Sequence, residues 1–260
     1  IRFDLSDAEY EETNTRGTAN VIALAQTGGA GLLHVSTAYV CGTRDGVIRE
    51  DDPLPAKGFA NGYEVSKAAG ERLVRNSGLA WAIARPGITL GEYQSGRVRQ
   101  FDALYMAFKL IAEGRIRLVP AGGDATLAFV PIDHVAGGIA ALVENWEAAQ
   151  GGTYHLVASD PLPMADFAHG IGSVDGLRSP TLVDPARFDA STLPPLERRL
   201  HGRVSALYAS YFQRDPRFDD SRFRAVTGIE SGPADEAYLR RLIDFCTDEG
   251  FLPAAEVLAR

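Results

Sequence analysis

The chain reads as an α/β protein: a parallel sheet covered by helices on both faces, followed by a smaller and mostly helical part. Three observations predict this. Two short apolar runs, Leu32-Leu33-His34-Val35-Ser36 and Ala80-Trp81-Ala82-Ile83-Ala84, have the character of strands buried on both faces. Segments of helical period precede and separate these runs, and strand alternating with helix is the pattern of a parallel sheet. From Pro195 onward the pattern is almost wholly helical.

The first helix opens on the capping box Ser6-Asp7-Ala8-Glu9. Tyr10, Asn14, Gly17, Val21 and Leu24 then recur at spacings of three or four, which puts Asn14 and Gly17 on the apolar face and predicts a close approach to the sheet at Gly17. Gly28-Gly29 ends that helix. The first strand runs into Ser36-Thr37-Ala38, and a Gly-, Asp- and Pro-rich loop extends from Gly42 to Asn61. Tyr63 to Val74 is helical in pattern, and Pro86 stops the second strand. Phe101–Ala112 is the next helix, with short strands expected at Ile116–Val119 and Thr126–Val130 and a helix capped by Asp133. A strand at Thr153–Val157, a helix at Met164–Ile171, and helices at Pro195–Phe212, Ser221–Val226 and Ala234–Glu249 complete the pass.

Bulk properties remove several function classes. With 260 residues and 45% hydrophobic content, the chain can bury one large domain or a large and a small one. A net charge of −8 argues against a nucleic-acid partner, which needs clustered Lys and Arg to neutralise phosphates. No apolar run is long enough to span a bilayer and no signal segment opens the chain, so a cytoplasmic protein is expected. Cys41 and Cys246 make no metal-ligand spacing and no disulfide framework, and no metal is expected. Ile1 opens without Met, a few residues before the first helix; the expectation is that the natural protein has a preceding part.

Tyr63-Glu64-Val65-Ser66-Lys67 is the most informative stretch for chemistry. Residues four apart share a helix face, so the phenol and the ammonium can point into one site. A phenol with pKa of about 10 needs roughly 4 kcal/mol of differential stabilisation to ionise near neutrality. Lys67 together with an oxidised nicotinamide ring in a site shielded from water can supply it, and the Tyr then delivers a proton to a carbonyl oxygen, or removes one in reverse. Ser36 and Thr37 sit at a strand's carboxyl end, where parallel sheets place ligand-binding residues. They either hold the substrate carbonyl beside Tyr63 or satisfy backbone at a strand terminus.

The runs Asn14-x-x-Gly17-Thr18, His34-Val35-Ser36-Thr37-Ala38-Tyr39-Val40-x-Gly42, Tyr63-x-x-x-Lys67 and Arg85-Pro86-Gly87, in this order and spacing, resemble the extended short-chain dehydrogenase/reductase family. The resemblance implies a Rossmann-type parallel sheet flanked by helices, with its N-terminal strands absent from this sequence. It implies Tyr63 as acid/base, Thr37 as the hydroxyl holding the substrate, Lys67 as the grip on the nicotinamide ribose, and Asn14 as an active-site support. Ser36, Pro86, Gly87 and Ile88 fall on positions that line the nicotinamide. Residues 1–150 are then the remainder of the dinucleotide-binding domain, with 97–125 possible additions to the substrate lobe, and 151–260 mainly substrate-binding. Ser36-Thr37-Ala38-Tyr39-Val40 and Val130-Pro131-Ile132-Asp133-His134-Val135 most resemble the fatty acyl-CoA reductase, or male-sterility and thioester-reductase, branch. That branch implies reduction of an acyl thioester or aldehyde, presented on CoA or an acyl carrier, with NADPH favoured over NADH. A homodimer is an expectation from family resemblance.

One departure is large. The family's Gly-rich phosphate loop and the residue that selects NAD or NADP have no counterpart here; Gly28-Gly29-Ala30-Gly31 precedes a strand instead of following one, so it is a helix-ending turn. Two other functions stay open at this point: a sugar-nucleotide epimerase or dehydratase, for which Arg97, Arg99 and Arg178 are available, and a Rossmann-like binding protein without turnover. Among the remaining residues, His34 reads as a satisfied core residue, and His134 and His155 lie near element boundaries that can face the site. Glu197-Arg198-Arg199 with Arg203 is a basic face suited to solvent or to the phosphate of an acyl carrier. Leu207, Tyr208, Tyr211 and Phe212 either line an acyl pocket or pack the small lobe.

Overall fold

The computed structural model describes residues 5–253, without the side chains of residues 103 and 204–208. Its centre is a parallel sheet in which Trp81–Pro86 lies between Leu32–Val35 and Thr153–Leu156. Val35 pairs with Ala84, and Ala84 with Tyr154, so the three strands end together at one edge of the sheet. The central strand is buried on both faces, and its side chains divide by the period of two. Ile83 points to one face and packs with Ile22 and Val74 from the helices Gly17–Gly28 and Gly62–Arg75. Ala82 and Ala84 point to the other, against Val135 and Leu142 of helix Ile132–Glu144 and Phe223 of helix Ser221–Thr227.

A second, larger core joins helices Ala103–Ala112, Met164–Gly172 and Glu236–Asp248. Tyr238 ties it to the sheet side by donating its hydroxyl proton to the Gly91 carbonyl at 2.6 Å, while Gly91 N donates to the Tyr105 hydroxyl at 3.0 Å. Short strand pairs knit the periphery: Ile88–Leu90 with Phe129–Pro131, Gly46–Ile48 with Pro216–Phe218, and Leu118–Pro120 with Thr181–Val183 are all parallel. Tyr211 and Phe212 are buried in this core, where Phe212 also lines an apolar cavity with Leu90, Tyr105 and Phe129; the side chains of Leu207 and Tyr208 lie outside the described residues. Among the described residues no helix is long and apolar enough to cross a membrane.

The structure departs from the sequence-based expectations in several places. The first helix contains a π-helical stretch, Glu11–Arg16, whose wider turn rotates the rest of the helix about its axis. The buried stripe therefore runs Tyr10, Thr18, Ile22, while Val21 and Leu24 are exposed and Gly17 makes no close approach. Close approach occurs instead at Gly70, where an added Cβ would lie 3.3 Å from Thr18 Oγ1 and 3.5 Å from the Asn14 carbonyl. The single strand expected at Thr126–Val130 is two, Thr126–Leu127 and Phe129–Pro131, pairing with different partners. Asp133 is not a cap: Pro131 precedes the helix, and the Asp133 carboxylate accepts from Tyr93 N at 3.1 Å. The helix predicted to Phe212 ends at Tyr208, and the loop after Gly42 contains the Gly46–Ile48 strand.

Glu50, in that same loop, is 2% exposed and accepts hydrogen bonds from His155 N at 2.9 Å, Arg222 N at 2.6 Å and Phe223 N at 3.1 Å. It thereby fills the amino end of helix Ser221–Thr227 and locks it to the sheet. Burial pushes its carboxyl up to about 7, against the three N–H donors that favour the ionised form. A carboxyl raised on folding binds more protons folded than unfolded, so its contribution to stability falls as pH rises from about 4.5 to about 7. Denaturant midpoints for Glu50→Gln should lack that slope. Equal slopes in the two proteins would show that Glu50 does not titrate in this window.

Candidate active site

The helix Gly62–Arg75 carries the candidate chemistry. Asn61 caps it, accepting from Glu64 N at 2.9 Å, so Tyr63 lies in the first turn and Lys67 one turn further along the same face. Thr37 caps the short 3-10 turn after the first strand, through Tyr39 N at 3.4 Å, and its hydroxyl faces the Tyr63 phenol. That hydroxyl also lies 3.4 Å from the Pro86 carbonyl. The chain thus brings Tyr63, Thr37 and the Pro86-Gly87-Ile88 turn together at the carboxyl ends of two adjacent strands. Gly87 N donates to Leu156 O at 3.1 Å and Ile88 N to Ala128 O at 2.8 Å, which fixes the turn. A side chain at position 87 would put its Cβ 2.5 Å from Ala128 O, so only glycine fits.

Lys67 Nζ donates to the Val35 carbonyl at 2.7 Å, leaving two of its three N–H groups to point elsewhere. Burial lowers its pKa, with the Glu71 carboxylate pulling the other way. Asn14 Nδ2 donates to Ser66 Oγ at 2.9 Å, and Ser66 Oγ to the Tyr63 carbonyl at 2.9 Å. Asn14 therefore braces the backbone of the Tyr63 turn and does not touch the phenol itself. It does so from within the π-helical stretch, a feature frequent at functional sites. Ser36 is buried, and its hydroxyl faces the Glu71 carboxylate.

The electrostatics differ from expectation in one respect. Burial pushes the Tyr63 phenol up to about 12, and among the described residues the Thr37 hydroxyl counters it. Lowering the phenol toward neutrality is thus left to a bound cation and to hydrogen bonds that form with it. The residues present fit the nicotinamide-ribose end of a dinucleotide: a half-buried ammonium with spare donors, a phenol, a hydroxyl and a glycine turn that approaches without side chains. The glycine run at 28–31 is the helix-ending turn predicted, with Gly29 at φ 62°.

Several candidates fall elsewhere. His34 is not a satisfied core residue: its Nε2 is buried without a hydrogen-bond partner among the described residues, and burial beside Lys67 lowers its pKa to about 4. His155 is buried in the sheet with Nδ1 2.8 Å from Asp219 O, and burial likewise lowers it to about 4. His134 packs edge-on against Phe223, on the helix face that covers the sheet. Arg97 is paired with Glu92 at 2.6 Å, Arg99 lines an open cleft beside Thr89, and Arg178 packs over Gly114. Glu197 is not part of a solvated basic face but a buried partner for Arg117 at 2.7 Å.

Two buried ion pairs had no signature in the sequence. Arg85 Nε and Nη2 donate to the two oxygens of Glu71, each at 2.8 Å, joining the Tyr63 helix to the strand that ends at Pro86. Arg214 Nη2 donates to Glu64 Oε1 at 3.0 Å. In both pairs a carboxylate of the helix Gly62–Arg75 meets an arginine from another element.

Comparison with known proteins places this arrangement. The model of the NAD-binding male sterility protein family matches residues 1–139. The chain belongs to that family. A non-canonical nonribosomal peptide synthetase, FrzA of Cladobotryum sp., is 28% identical over 93% of this chain, which corresponds to 26% of that protein. An aldehyde reductase, lnbA of Aspergillus flavus, is 29% identical over 57% of this chain and 16% of its own length. The chain therefore spans about a quarter or less of these relatives. Among solved structures, the terminal R domain from the myxalamid PKS-NRPS biosynthetic pathway superposes with a TM-score of 0.82 at 23% identity, over 98% of this chain and 67% of that one. At that identity the likeness is one of fold: a Rossmann-type sheet flanked by helices.

Proposed function

We propose that this chain carries the catalytic residues of an NAD(P)-dependent reductase acting on an acyl thioester or the corresponding aldehyde, with NADPH the preferred donor. The observation that carries this reading is that the Thr37 hydroxyl faces the Tyr63 phenol beside the Pro86-Gly87-Ile88 turn. It supports reading Tyr63 as a proton donor and Thr37 as an oxygen-binding hydroxyl. The names of the relatives, a peptide synthetase and an aldehyde reductase, support the substrate class.

In this proposal the bound nicotinamide supplies the hydride. Thr37 and Tyr63 hold the carbonyl oxygen between them, and the Tyr63 phenol gives its proton to that oxygen as the carbon is reduced. A thioester reduced this way then expels its thiol to leave an aldehyde, so one hydride and one proton are consumed per thiol released. Lys67 orients the ribose with its two spare N–H groups and favours the phenolate. Asn14 positions the Tyr63 turn through Ser66. Ser36, Gly87 and Ile88 line the ring. Residues 1–150, apart from helix Ala103–Ala112, form the dinucleotide side of this proposed site; 151–260 form chiefly the substrate side, apart from strand Thr153–Leu156 and helix Ser221–Thr227, which belong with the central sheet.

The test is reduced-nicotinamide absorbance in the full natural protein with a panel of acyl-CoAs and aldehydes, in parallel with UDP-sugars. Oxidation of NADPH with an acyl thioester is expected. Silence with thioesters and turnover of a UDP-sugar would replace the proposal by an epimerase. Lys67→Met should raise the KM for the cofactor about tenfold to a hundredfold, the scale of one or two lost charge-assisted hydrogen bonds. An unchanged cofactor KM in that variant would remove Lys67 from the ribose.

A further inference from the structure

Arg214 reaches the Tyr63 helix from a segment 150 residues away in sequence, just before the Pro216–Phe218 strand. Its guanidinium is buried and spends N–H groups in three directions: Nη2 to Glu64 Oε1 at 3.0 Å, Nη1 to Gly42 O at 2.7 Å, and Nε to Ser210 O at 2.9 Å. The rings of Tyr39 and Tyr211 flank it, with centroids 5.3 and 5.0 Å away. Glu64 is 0% exposed, and its second oxygen accepts from Ala60 N at 2.8 Å. Asn61, the helix cap, donates to the Tyr211 hydroxyl at 3.2 Å. Both residues that define the start of the Tyr63 helix are thus held by the 210–214 segment.

A buried ion pair is weak evidence for a stability device, since a well-packed apolar pair often serves as well. This one stands directly beside the candidate acid. A carboxylate next to a phenol opposes its ionisation, and a guanidinium on that carboxylate cancels the opposition. We propose that Arg214, acting through Glu64, is a positioning residue for Tyr63: it fixes the first turn of the helix and screens the phenol from the Glu64 charge. The proposal rests on the reading of Tyr63 as the proton donor.

Among the described residues, the Thr37 hydroxyl faces the phenol, and the Tyr10 ring lies 6.4 Å away between centroids. Asp7 reaches the start of the helix near Gly62, Glu64 is next in sequence, and Lys67 is one turn along. Around Glu64 stand Arg214, Tyr39, Tyr211 and Cys41. Arg214 is the cation bonded to Glu64, and the Glu64 charge pushes the Tyr63 phenol up.

The experiment tracks the phenol in two ways. The first is the high-pH limb of kcat for thioester reduction, where loss of the phenol proton ends activity. The second needs no turnover: a fluorinated tyrosine at position 63, whose more acidic phenol titrates in an accessible range, observed by fluorine NMR. Arg214→Met should move both titrations up by about 1 pH unit, the lower end of the effect of an adjacent charge. Adding Glu64→Gln should bring them back to the wild-type position, and Arg214→Lys, which keeps the charge, should leave them near it. Unmoved titrations in Arg214→Met, or an equal displacement in the double variant, would overturn the proposal. Should Arg214→Met not fold, Glu64→Gln alone decides, because it must move the titration down. A wild-type protein that turns over no thioester would defeat the reductase reading, and the fluorine titration would still judge Arg214.

Discussion

Tyr63→Phe should lower kcat for carbonyl reduction by about a hundredfold to ten-thousandfold, the range for removing a positioned general acid. The argument is one of geometry first. The phenol faces the Thr37 hydroxyl, that hydroxyl is near the Pro86 carbonyl, and both stand where two strands end. Phe keeps the ring and its contact with Tyr10, so the helix start and the affinity for reduced cofactor should change little. The loss should therefore fall on kcat, with cofactor affinity by calorimetry within a few-fold of wild type. Activity that survives the substitution would move the proton donor elsewhere. A large loss of cofactor affinity would mean that the phenol binds ribose more than it moves protons.

The burial of Tyr63 sharpens this expectation. With burial pushing the phenol up to about 12, the protein alone holds it protonated across the physiological range, which suits a donor to a carbonyl oxygen. In the reverse direction the phenolate is needed, and the cation that favours it comes with the oxidised cofactor. The direction of the shift thus suits the proposed reduction.

How much of this was legible in the sequence depended on distance along the chain. Tyr63 and Lys67 are four residues apart on one helix, and Thr37 ends a strand; local periodicity suffices to bring such residues to one site. The alternation of strand and helix foretold the parallel sheet for the same reason. The π-helical stretch at Glu11–Arg16 was invisible because its consequence is a rotation of the buried stripe from Val21 to Ile22, and the spacing of apolar residues allows either. The Gly46–Ile48 strand is three residues long, and its partner begins at Pro216, so nothing local announced it. Nothing in the sequence around Glu50, Glu64 and Glu71 sets them apart from other helix or loop charges. Each is buried because of a partner brought by the fold: backbone N–H groups of residues 155, 222 and 223, Arg214, and Arg85. Long-range pairing of this kind leaves no period in a single sequence.

The second large effect is expected at Glu71. Its carboxylate is fully buried, accepts both N–H groups of Arg85, and lies 3.4 Å from Arg75. Glu71→Ala would leave the Arg85 guanidinium buried without its counter-ion beside His155, a loss of about 3–5 kcal/mol. At roughly 2–4 °C per kcal/mol for a chain of this size, the Tm should fall by about 10 °C. Replacing both partners, Glu71→Leu with Arg85→Met, removes the unpaired charge and should recover much of that loss. Burial raises the Glu71 carboxyl, but Arg85 outweighs it and holds the group below its ordinary value. A carboxyl depressed on folding contributes stability above its ordinary pKa, and that contribution is lost as pH falls through the folded value. The wild type should therefore lose stability on acidification below about 4.5, the ordinary value, by an increment that the double variant lacks. A single variant as stable as wild type would mean that water reaches Arg85. A double variant as unstable as the single would mean that the pair fixes the Tyr63 helix against the Pro86 strand by geometry that apolar side chains cannot copy. In that event the activity of the double variant should fall with its stability, because the two halves of the site would have lost their common anchor.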